Sequence, residues 1–69
     1  MQRTTVSSSN INSIGYDQIS HTLEVEFSDG AIYHYFEVPK IKYDSLMQAN
    51  SHGEYLAANI KGVYKYKKV

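Results

Sequence analysis

Between residues 22 and 27 the chain alternates: Leu23, Val25 and Phe27 are apolar, and Glu24 and Glu26 between them are charged. A period of two places the apolar set on one side of a strand and the acids on the other, so this stretch predicts a half-buried strand with one wet face. Asp29-Gly30 then turns the chain into a second apolar stretch, "AIYHYFEV", and the pair predicts a hairpin. Upstream, Ile11, Ile14 and Tyr16 cluster around Gly15 and predict a first strand, bent or bulged at the glycine. "QISHT" is a polar connection between the first two strands. Residues 1 to 8 offer little to bury and read as a flexible lead-in.

The turn length decides which side chains of the third strand face the core, because a slip of one residue moves the whole set to the other face. A two-residue type I′ turn at Asp29-Gly30 pairs Phe27 with Ile32 and turns Tyr33 and Tyr35 outward. A type I turn over Ser28-Asp29, closed by a left-handed Gly30, pairs Phe27 with Ala31 and sends both tyrosines to the side of Leu23 and Val25. The outward strip is then Ile32, His34 and Phe36, which is apolar enough to call for a partner.

Pro39 ends the third strand and suits the first turn of a helix. Tyr43, Leu46 and Met47 follow at the spacing of an amphipathic helix. After a corner at Asn50, Ser51 and Glu54 form the S-x-x-E capping box, Leu56 and Ile60 supply an apolar face, and Gly62 stands where a C-terminal cap belongs. The final "VYKYKKV" alternates tyrosine with lysine, as a short edge strand or an ordered tail does. The layout is α+β: a three-stranded antiparallel meander, two short helices packed on one face of it, and a possible short C-terminal strand.

Sixty-nine residues form one domain, and a chain of this size buries only about 60% of the surface it exposes when unfolded. There is no cysteine, so no disulfide or thiolate metal site exists, and three scattered histidines do not suggest a zinc site. No cofactor is expected. Aromatic packing and self-association are the remaining sources of stability, and a homo-oligomer is expected. Seven cations balance seven acids, so no global field draws polyanions; yet Lys61, Lys65, Lys67 and Lys68 crowd into the last nine residues. The sequence holds no apolar run of the roughly 20 residues that span a bilayer and no secretory signal pattern, which predicts no membrane partner and a cytoplasmic location.

Taken together, "SSNI" (8 to 11), "IGYD" (14 to 17), "LEVEFSDG" (23 to 30), "YHYFEVP" (33 to 39), "YDSLMQANSHGEYL" (43 to 56) and "IKGVYKY" (60 to 66) resemble the KTSC family. That small domain is named from the C-terminal extension of some lysyl-tRNA synthetases, and it also occurs as a free-standing protein in bacteria and their phages. The resemblance covers nearly the whole chain and implies a stand-alone domain associated with RNA or nucleotides, in a bacterial host's cytoplasm. It brings no catalytic residues with it. One departure is Leu56-Ala57, where such domains often carry phenylalanine-asparagine. The family's recurring tyrosines correspond to Tyr16, Tyr33, Tyr35, Tyr43, Tyr55 and Tyr64, and they favour the three-residue turn with Tyr33 and Tyr35 buried.

No nucleophile–base pair and no cluster of metal ligands is present in the pattern, so an enzyme is not expected. The leading expectation is a non-enzymatic binding module for RNA or a nucleotide. Its candidate contacts are His34 and Phe36 on the third strand, Ser51, His52 and Gly53 at the N-terminus of the second helix, and Tyr64, Lys65, Tyr66 and Lys67 in the tail. One alternative is a phage-type sponge that oligomerises and sequesters a nucleotide immune signal. Another is a protein-interaction module that pairs through the exposed edge of the third strand.

Overall fold

The computed structural model describes residues 1–69. Five antiparallel strands lie side by side in chain order: β1 (Arg3–Thr5), β2 (Ile11–Asp17), β3 (Thr22–Phe27), β4 (Ile32–Tyr35) and, after the helices, β5 (Tyr66–Lys68). Helices α1 (Lys40–Gln48) and α2 (His52–Asn59) stand between β4 and β5 in sequence. The meander of three strands is therefore flanked by one more strand on each side. The lead-in contains β1, paired to β2 with Arg3 opposite Gly15 and Thr5 opposite Ser13. Arg-Thr-Thr carries no apolar residue, so periodicity gave no sign of it.

The β3–β4 turn is the three-residue form. The Phe27 amide donates to the Ala31 carbonyl at 2.8 Å, the Gly30 amide donates to the Phe27 carbonyl at 2.9 Å, and Gly30 has φ +90°. Leu23 thus faces Tyr35, Val25 faces Tyr33, and Glu24 faces His34. The bulge in β2 lies at Asn12, between Ile11 and Ser13, and not at Gly15. Gly15 has a different duty: a Cβ there would sit 2.7 Å from the Gln2 carbonyl oxygen and 2.9 Å from Arg3 Cγ. Only a residue without a side chain lets β1 lie this close.

One face of the sheet carries the core. Ile11, Ile14, Leu23, Val25 and Tyr35 meet Val38, Leu46 of α1, Leu56 of α2 and Ile60, which caps the C-terminus of α2. Burying each large aliphatic side chain contributes about 1.5–3 kcal/mol relative to leaving it in water. Pro39 is the N-cap of α1, and its extended ψ of 149° leads the chain in from Val38. The Ser51 hydroxyl accepts from the Glu54 amide at 3.2 Å, as the capping pattern predicts. Tyr16 ties sheet to helices: its ring stacks on Tyr43 at 4.8 Å, and its hydroxyl donates to the Val38 carbonyl. Gly62, at φ +77°, turns the chain out of α2 toward β5.

These two glycines predict separable effects. At Gly30 an added Cβ meets nothing within 4 Å, so Gly30→Ala carries only the left-handed backbone cost of about 1 kcal/mol, or a fall of about 4–8 °C in Tm. An unchanged or higher Tm would contradict this account of the turn. Gly15→Ala instead pushes β1 off the sheet, and amide exchange should show lost protection at residues 3–5 while β3 and β4 stay protected.

Candidate functional site

Register sends Tyr33 and Tyr35 of β4 to the helix-bearing side, and β5 continues the row there with Tyr66 opposite Tyr35 and Lys68 opposite Tyr33. The helices do not reach this end of the sheet. They leave a groove of about 690 Å³, walled by Phe27, Tyr33, Tyr35 and Tyr66 and flanked by Lys61 and Lys68. Its volume falls in the range of about 300–1,000 Å³ typical of small-molecule sites.

The rings form a continuous surface. Tyr33 and Tyr35 stack with centroids 6.3 Å apart, Tyr66 tilts against both at 5.8 and 6.0 Å, and Phe27 meets Tyr33 edge-on at 5.5 Å. Tyr35 forms the floor at 3% exposure, whereas Tyr66 at the sheet edge is 62% exposed. The Lys61 ammonium stands 5.0 Å from the Phe27 centroid. At the hairpin end, Asp29 accepts the Ala31 amide with one carboxylate oxygen at 3.0 Å. Asn10 completes that end.

A second, polar hollow of about 500 Å³ lies between the serine run 7–9 and the N-terminus of α2, and it brings Ser51, His52 and Gly53 together. The side chains of Ser51 and His52 are already engaged, and Gly53 is crowded. Ser51 caps Glu54, His52 Nδ1 donates to the Leu46 carbonyl at 2.8 Å, and the Asn10 side chain lies where a Gly53 Cβ would go, its Oδ1 2.5 Å from that point. These three residues join the helices to the lead-in and stand apart from the aromatic groove.

The sheet's other face is free of helices. His34 sits opposite Lys67 there, with Phe36 bonded through its amide to the Lys65 carbonyl at 2.9 Å. His34 Nε2 donates to Glu24 at 2.7 Å, and Arg3 grips the same carboxylate at 3.3 Å by passing over Gly15. Ser13 donates to Glu26 at 3.0 Å. Ile32, His34 and Phe36 do face away from the core, half-buried among these neighbours.

The predicted contacts therefore separate into four places. Tyr66 alone lines the groove; His34, Phe36, Lys65 and Lys67 share the helix-free face; Ser51, His52 and Gly53 line the polar hollow. Tyr64 packs against the core. The groove residues missed from sequence are Phe27, Tyr33, Tyr35, Lys61 and Lys68. The three-residue turn was the available signal for the two tyrosines, because it aims them to one side with Phe27. The β4 edge expected to be open is taken by β5, so the free edges are those of β1 and β5. No helix is long and apolar enough to cross a membrane.

Burial raises the Tyr35 phenol above its usual value, and the neighbouring Tyr33 and Tyr66 hydroxyls add to the effect; burial likewise raises Tyr16. A phenol whose folded pKa exceeds the unfolded one stabilises the fold fully below the unfolded value, near pH 10. That contribution is lost as pH rises through the folded value. Ultraviolet titration of phenolate should therefore show a late-ionising fraction to which Tyr35 and Tyr16 contribute. Tyr35→Phe should shrink that fraction, and an unchanged late fraction would refute the assignment to Tyr35.

Comparison with known proteins agrees with the motif pattern. The KTSC domain model matches residues 7–69. An uncharacterised protein of Stutzerimonas stutzeri is 44% identical over 55 residues, which is 80% of this chain and 78% of that one. A lysine–tRNA ligase of Nostoc sp. is 39% identical over 59 residues, 86% of this chain but only 10% of the ligase. The crystal structure of a KTSC domain protein from Yersinia pestis superposes with a TM-score of 0.96 at 40% identity, covering 99% of this chain and 96% of that one. With both the ordered motifs and the whole backbone shared, this chain belongs to the KTSC domain family.

Proposed function

We propose that the chain is a non-enzymatic binding module for a ligand carrying a nucleobase, either a nucleotide or RNA, and that the aromatic groove is where the base enters. The observation that carries this reading is the union of a ring-lined wall with two lysines, Lys61 and Lys68, that no ion pair neutralises. A base stacks on Tyr66 and Tyr33, and a phosphate reaches the ammonium groups. Stacking of this kind contributes about 1–3 kcal/mol per base. The phenol hydroxyls of Tyr33, Tyr35 and Tyr66 offer donors and acceptors to the base edge.

Holding fits the groove better than chemistry does. No histidine lines it, and its one carboxylate is committed in part to the Ala31 amide. The relation to a segment of lysine–tRNA ligase supports a ligand drawn from RNA chemistry. A sponge built from several copies would use the same groove, with the oligomer adding walls to it.

Calorimetric titration with the four ribonucleoside monophosphates, at low and at moderate salt, tests the reading. At least one should bind, more tightly at low salt. Tyr66→Ala, which alters an exposed ring, should weaken binding by about 5- to 150-fold, the equivalent of one lost stack. Absence of binding at low salt, or indifference to Tyr66→Ala, would sink the proposal.

A further inference from the structure

The groove occupies only one side of the β4–β5 ribbon, and the other side repeats its chemistry. On the helix-free face Phe36 and His34 meet edge-on with centroids 6.4 Å apart, and register sets Lys65 beside Phe36 and Lys67 beside His34. The four C-terminal lysines are thus divided by strand alternation: Lys61 and Lys68 belong to the groove, Lys65 and Lys67 to the opposite face. Between them runs the outer edge of β5, which pairs with no strand.

We infer that a single-stranded RNA wraps over the β5 edge, with one base in the groove and a later base on Phe36 and His34, and with its phosphates passing the lysines. This rests on the groove reading above and specifies its ligand as a strand of several nucleotides. Charge complementarity is the ground for that occupant. Of the acids that register places on the helix-free face, Glu24 is gripped by Arg3 and His34, Glu26 by Ser13 with an Arg3 nitrogen at 3.8 Å, and Asp17, two strands away from β4 on β2, accepts the Ile19 amide at 3.0 Å. No ion pair engages Lys65 or Lys67, so the positive charge beside the rings is free to meet phosphate. A flat strand surface bearing rings and lysines takes unstacked bases without needing a particular sequence.

The test compares adenosine monophosphate with oligoadenylates of two, four and six nucleotides on the full chain. Affinity should rise by about tenfold or more between the mononucleotide and the tetranucleotide, because the second stack becomes intramolecular. Phe36→Ala should abolish that gain and leave mononucleotide binding unchanged. Since Phe36 is half-buried, Lys67→Ala at the exposed edge is the companion variant. It should lower the salt dependence of tetranucleotide binding by about 0.7 in log–log slope, the value of one phosphate contact. Equal affinity for monomer and tetramer, or a slope that Lys67→Ala does not change, would overturn the wrapped strand while leaving the groove in place. Failure of the wild-type protein to bind any of the four ribonucleoside monophosphates would instead remove the groove reading itself.

Discussion

The left-handed conformation of Gly30 sets the register of β4, and nearly everything of functional interest depends on that register. With Gly30 at φ +90° the turn spans three residues, and Tyr33 and Tyr35 join Phe27, Val25 and Leu23 on the helix-bearing side. Had the turn been one residue shorter, His34 would have entered the core in their place. A buried histidine without Glu24 would have cost desolvation, and the aromatic groove would not exist. Because β5 pairs with β4, the choice made at Gly30 propagates to the far edge, where it assigns Tyr66 and Lys68 to one side and Lys67 to the other.

Gly15 governs the opposite edge by a different means. Its missing side chain lets the β1 backbone approach, and Arg3 then reaches across to Glu24 and Glu26. A half-exposed ion pair of this kind adds little stability by itself, about 0–1 kcal/mol. Its greater effect is on the field of the helix-free face: it satisfies the acids of β3, so the lysines of β5 are not drawn across to them. One edge of the sheet thereby neutralises itself and the other remains cationic.

Much of this was legible in the sequence wherever a side chain had to be apolar or a backbone had to be special. The alternation of Leu23, Val25 and Phe27, the Asp29-Gly30 turn and the Ser51–Glu54 cap each leave a mark that one local rule explains. Strand β1 left none, because an edge strand exposed on both faces needs no apolar residue, and Arg3-Thr4-Thr5 has none. Gly15 was visible but ambiguous, since a bulge and a close backbone approach favour the same residue. The candidate site was the harder part. Its walls come from β3, β4, β5 and the segment after α2, and local periodicity says nothing about how the helices leave one end of the sheet uncovered. Ser51, His52 and Gly53 illustrate the converse: a capping motif looks like an anion site until the structure shows Ser51 bonded to the Glu54 amide, His52 turned to the Leu46 carbonyl and Asn10 filling the space beside Gly53.

A chain with no net charge is an unexpected partner for the phosphate-bearing ligand proposed above, and the distribution of ion pairs resolves the difficulty. Arg3 is committed to Glu24 and Glu26, and Lys40 to Asp44 at 3.1 Å, so the paired charges lie at the β1 edge and on α1. Of the five lysines without partners, Lys42 lies on α1 and the other four, Lys61, Lys65, Lys67 and Lys68, gather at the β4–β5 end, within reach of its rings. Screening limits any charge to a range of about 8 Å at physiological ionic strength, so a phosphate at that end experiences the local lysines far more than the distant acids. Net charge therefore constrains long-range attraction and not the final contact. On the binding mode proposed above, such a surface would capture a strand slowly, without steering, and hold it by stacking, with the rings supplying the affinity and the lysines the direction of the chain.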